Sequence, residues 1–283
     1  MKIDINKISS MSLPERFKYL RENERELIKT KCSTEITSDI NTCSPYIQIK
    51  QLATKSIDNP EPDVIRVKVV ANTSNWIDSQ LDMILPDAVN KSLKERKDKI
   101  PHLHDHLRET TAKVGEVKDI YMQDFSFSEL GIRGQGVAKA LIFETDIRKD
   151  YNEKIFNQYK NGGINQHSIG LRYINMVLAM NDVNDPERLK LWNEFIGQAI
   201  NREVADKNGY FWVVKEYKLI ENSAVLFGAN EITPTLEVSG GKNYIFEPDK
   251  TTQEMESRIK ALEKAANEKL FNEMINKINN LKF

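Results

Sequence analysis

Residues 165–173 read Asn-Gln-His-Ser-Ile-Gly-Leu-Arg-Tyr. Ile169, Leu171 and Tyr173 recur at every second position, the period of a β-strand with one face toward a core. Ser168 falls on the other face with Gln166 and Gly170, away from the packed side, where another chain could reach it. His167 points opposite to Ser168 and is therefore a poor base for its neighbour. Gly170 leaves room on the serine's face for a peptide.

Working outward, Ile65, Val67 and Val69 alternate with Arg66 and Lys68, which predicts a half-buried strand. Segments 114–121, 137–143, 211–220 and 224–227 are further strand candidates. Segment 82–93 starts extended and passes into a helix near Pro86, a residue suited to a first turn. Helical patterns cover 150–159 and 186–202. Short strands without regular strand–helix alternation predict an α+β fold, an antiparallel barrel or sheet with attached helices. Before this region, Leu13, Phe17, Leu20, Leu27 and Ile28 keep helical spacing, with Ser12 as N-cap and Pro14 in the first turn. Residues 32–60, polar and ending in Asp-Asn-Pro-Glu-Pro-Asp, read as a linker. From Thr251 to Phe283, apolar residues from Met255 to Leu281 step by three and four and predict one long amphipathic helix. Such a helix pairs with a copy of itself or a partner's helix, or folds back on its own core. The expected organisation is an N-terminal helical and linker extension (1–60), a central domain (61–245, with a helical insertion at about 175–208) and a C-terminal helix (246–283).

The 283 residues carry a formal net charge of -1. A near-neutral chain has no electrostatic footprint for wrapping nucleic acid or an acidic membrane surface. No apolar run reaches the roughly 18 residues needed to span a bilayer. The N-terminus lacks the apolar core of a secretory signal, so a cytoplasmic start is expected. Two cysteines, Cys32 and Cys43, in a polar stretch do not suggest a disulfide or zinc framework.

The four histidines are concentrated in two places, His102, His104 and His106 in one heptapeptide and His167 beside Ser168. Two chemistries compete. On a strand the three close histidines would share a face as metal ligands, and the segment comes within one residue of the His-x-His-x-Asp-His pattern of binuclear metallohydrolases. Alternatively one of them is the general base for Ser168, because a serine hydroxyl is a weak nucleophile until a base takes its proton. Such a base needs a third group to hold its tautomer. Glu221, between the apolar segments 211–220 and 224–227, is a candidate, partly buried and so in need of a partner.

The order of these segments resembles the caudoviral prohead proteases, the head-maturation serine proteases of tailed phages. Asp82 with Pro86, Asp87 and Ala88 is similar to the family's aspartate and Pro-Gly-Ala segment, with Asp87 in place of glycine. His102 to His106 followed by Val114 and Gly115, Ser168 to Leu171, and Leu219, Glu221, Ser223, Ala229 and Asn230 are similar to the three motifs that follow. The match spans roughly residues 61–232. By this resemblance Ser168 is the nucleophile, His106 the base with His104 as the alternative, and Glu221 the third member. The resemblance implies a closed, mostly antiparallel β-barrel with surrounding helices, similar to herpesvirus assemblins. No metal or other cofactor is implied. It also implies cleavage of scaffold and major capsid segments, and of the protease itself, in the prohead interior within the host cytoplasm. The C-terminal helix would then tether the enzyme to scaffold or to a second copy. An inactive virion or scaffold-fusion protein with the same barrel is the other outcome compatible with these motifs.

Overall fold

A computed structural model of the chain describes residue 8, residues 10–33 and residues 63–239. Most of the expected linker and the whole of the expected C-terminal helix lie outside the described residues. The order of elements is α1 (Leu13–Ser33), β1 (Val64–Thr73), β2 (Asp82–Ile84), α2 (Asn90–Arg96), β3 (His102–His104), β4 (Gly115–Ser126), β5 (Val137–Arg148), α3 (Glu153–Asn161), β6 (His167–Met180), α4 (Pro186–Phe195), α5 (Arg202–Asn208), β7 (Tyr210–Ala224) and β8 (Thr235–Val238). The fold is α+β.

The strands trace two four-stranded sheets. In the first, the order is β4-β5-β1-β8, all antiparallel. The second is built on β7. β6 runs antiparallel along one edge, while the short β2 and β3 lie parallel to β7 along the other, at Trp212–Val214 and Asn222–Ala224 respectively. The sheets meet at both sides. Val114 N–H donates to His102 O (3.0 Å), tying β3 to the start of β4. Residues 233–235 tie β1 to β6: Val70 N–H donates to Pro234 O (2.9 Å), and His167 N–H donates to Thr233 Oγ1 (3.1 Å). Val67, Val69, Leu141, Phe143, Leu171, Leu178, Val214 and Leu219 are buried in one core cluster. Each such side chain contributes on the order of 1.5–3 kcal/mol of transfer free energy.

Helix α1 includes Cys32 and Ser33, which the sequence places in the linker. Ser12 and Glu15 cap it, with the Ser12 hydroxyl donating to Glu15 Oε2 (2.6 Å). Leu20 and Leu27 are buried, and Lys31 reaches inward to Asp82 (Nζ–Oδ1 2.6 Å). Tyr173 OH donates to the other oxygen of Asp82. Both members of the ion pair are buried, so each depends on the other.

Three expectations are corrected. The helix after β2 starts at Asn90, four residues beyond Pro86, with two turns between. Residues 211–220 and 224 belong to one uninterrupted strand, β7, so Glu221 lies within it and 225–228 form the irregular, bent segment that follows. The helical insertion begins only at Pro186, because residues 175–180 continue β6 opposite Glu216 to Tyr210.

Candidate active site

The site is built where β3 leaves the second sheet. Strand β3 stops at His104, and the next two residues, Asp105 and His106, have φ of 51° and 54°. The left-handed region costs a non-glycine residue roughly 1–2 kcal/mol. Hydrogen bonds hold the turn there: Asp105 N–H donates to Ala224 O (2.9 Å), and His106 N–H donates to Ser223 Oγ (3.1 Å). The reversal takes His106 out of the strand's alternation.

His106 Nδ1 lies 2.6 Å from Glu221 Oε1, and the Ser223 hydroxyl donates to Glu221 Oε2 (2.7 Å). Both carboxylate oxygens are thus occupied, as a buried carboxylate requires. A carboxylate at Nδ1 holds the proton on that nitrogen, leaving Nε2 with a free lone pair. That Nε2 is shielded from solvent and has no hydrogen-bond partner. His106 therefore presents an oriented ring nitrogen that can accept a proton.

Strand register places Ser168 directly opposite Ser223, and Gly170 opposite Glu221. Directly opposed residues share a face, with Cβ atoms about 4.5–5.5 Å apart. Since Ser223 and Glu221 hold His106, the imidazole and the Ser168 hydroxyl occupy the same face of the sheet. No hydrogen bond yet joins Ser168 to His106 Nε2. Gly170 explains how the carboxylate fits: a Cβ there would fall 2.2 Å from Glu221 Oε1. The space that the sequence assigns to a peptide is filled by Glu221. On its inner side Ser168 borders a cavity of about 30 Å3, room for a water, with Asn72, Asp78 and Asn230. Burial, and then the charge of Asp82, push the Asp78 carboxyl up to about 7.

The other histidines are elsewhere. His104, the alternative base, pairs with the exposed Asp105 (3.0 Å) and is in register with Ala224, off the serine's face. His102 and His167 are fully buried on the opposite face. The shared face that metal ligation needs does not exist, because the turn at Asp105 separates His106 from His102 and His104. Among the described residues no group of three or more His, Cys, Asp or Glu side chains could hold a metal ion. Sequence reasoning missed Ser223 as a link between base and carboxylate. The signal was there: Ser223 and Glu221 are two apart and so share a strand face. No family model, curated protein or solved structure matches the chain.

Proposed function

We propose that the chain is a serine endopeptidase of the phage head-maturation kind, with Ser168 as nucleophile, His106 as base and Glu221 orienting the base. The observation that carries this reading is the His106–Glu221 pair, with Nε2 unpartnered on the face that bears Ser168. His106 takes the Ser168 proton as the hydroxyl attacks a peptide carbonyl, then gives it to the leaving amine. Water hydrolyses the acyl-enzyme by the reverse use of the same base. Hydrogen bonds at both junctions between the two sheets support the closed barrel of that family. The substrates in this reading are scaffold and major capsid segments within the prohead, with self-cleavage included. Residues 63–239 supply the catalytic body.

A second reading, a head protein that keeps the barrel without activity, is favoured by the missing Ser168–His106 hydrogen bond. In unliganded enzymes such bonds are often long and tighten in the complex, so we favour the enzyme. Co-expression with the cognate scaffold and capsid proteins tests the choice. Wild type should cleave them, and Ser168→Ala and His106→Ala should not. Cleavage that survives loss of Ser168, or none by wild type, contradicts the proposal.

A further inference from the structure

Beneath the candidate site, on the opposite face of the sheet, lies a buried polar chain that the mechanism does not use. The hydroxyl of Tyr159, on α3, sits between two imidazoles, 3.1 Å from His102 Nε2 and 3.0 Å from His167 Nε2. His102 Nδ1 lies 2.9 Å from the Thr145 hydroxyl on β5, and His167 Nδ1 lies 2.9 Å from the Thr233 carbonyl. All three rings are fully buried.

With both imidazoles neutral, one arrangement of protons satisfies these four contacts. A carbonyl only accepts, so His167 carries its proton on Nδ1 and accepts at Nε2 from Tyr159 O–H. The Tyr159 oxygen then accepts from His102 Nε2–H, and His102 Nδ1 accepts from Thr145 O–H. Burial holds both rings in this neutral form, lowering His102 well below its ordinary range and His167 to about 4.

The strands joined this way are the two that matter for the site. β6 carries Ser168, and β3 leads into His106, yet they do not pair with each other: β7 separates them. His167 precedes Ser168, and His102 lies four residues before His106. We infer that Tyr159 is a positioning residue, whose hydroxyl ties β3 to β6 across the underside of β7 and so sets the approach of His106 Nε2 to Ser168. The inference rests on the roles proposed above for Ser168 and His106.

The test is the kinetics of a fluorophosphonate probe on the full chain, resolved into reversible affinity and maximal rate of serine modification. Tyr159→Phe keeps the packing ring and removes the tie. It should lower the maximal rate at least tenfold with affinity unchanged, while the variant stays folded by circular dichroism. Equal rates in Tyr159→Phe and wild type would overturn the inference and leave the protease reading standing. A wild type that never reacts would sink that reading, and this one with it. Should Tyr159→Phe fail to fold, 15N spectra of the wild-type histidines decide. The proton must sit on Nε2 of His102 and on Nδ1 of His167, and any other pattern overturns the tie.

Discussion

Gly170→Ala should separate folding from function. The added Cβ would lie 2.2 Å from Glu221 Oε1 and 2.9 Å from its carboxyl carbon, so the carboxylate must retreat by roughly 1 Å to reach ordinary contact. The obstacle is the far end of a flexible side chain, not backbone, and a rotation of Glu221 relieves it. That rotation breaks the 2.6 Å bond to His106. A hydrogen bond to a charged group is worth about 1.5–3 kcal/mol, and a domain of this size loses about 2–4 °C of Tm per kcal/mol, so melting should fall by roughly 3–12 °C. Activity should suffer far more. Loss of the group that holds a catalytic imidazole's tautomer costs about 10^4 in kcat in a serine protease where the acid was neutralised. A drop of roughly 10^3–10^4 in cleavage rate, with near-native circular dichroism, is expected. Activity within a few-fold of wild type would refute the role given to the Glu221 carboxylate.

Other perturbations report on other parts of the account. Glu221→Gln removes the charge and lets His106 hold its proton on Nε2, so cleavage should fall by about 10^4, whereas His104→Ala should leave it nearly intact; equal losses in the two would reassign the base. Lys31→Met strips the buried Asp82 of its cation and should cost about 3–5 kcal/mol, read as a Tm lower by roughly 10 °C; an unchanged Tm would mean that the ion pair does not hold α1 in place. Acid should destabilise the fold through His167. Its folded-state value, lowered by burial from 6.5 to about 4, makes the unfolded chain bind the extra proton, so stability is full above 6.5 and is lost as pH falls toward about 4. The loss from His167 is roughly 3 kcal/mol, with His102 acting in the same direction. Urea unfolding of wild type and His167→Phe at about pH 7 and about pH 4.5 isolates this loss from Asp78, whose raised carboxyl acts in the opposite direction, and the same pH dependence in both proteins would contradict a neutral buried His167.

What could be read in the sequence was what depends on a simple period. Alternation along 167–173 placed Ser168 and His167 on opposite faces, and register with Ser223 and Ala224 gives the same answer. The alternating apolar residues Ile65, Val67 and Val69 of β1 and the helical stripe of α1 were legible for the same reason. The exit of β3 was not, because two consecutive left-handed residues without glycine leave no compositional mark. The strand β7 was split in the reading because Glu221, Asn222 and Ser223 form a polar break. They are polar and buried: Glu221 and Ser223 hold His106, so the break marks the site, not an end of the strand. Gly170 signalled open space, and only the fold reveals that a carboxylate from the neighbouring strand occupies it. Tyr159 gave no signal, since it reads as one more residue of a helical pattern, and only the fold brings its hydroxyl between His167, eight positions on, and His102, 57 positions back.

The most direct measurement is peptide mapping by mass spectrometry of the wild-type protein after treatment with a fluorophosphonate. One adduct, on Ser168, that disappears in His106→Ala is the predicted result. An adduct on a different serine, or labelling of Ser168 that persists undiminished without His106, would contradict the assignment of hydroxyl and base.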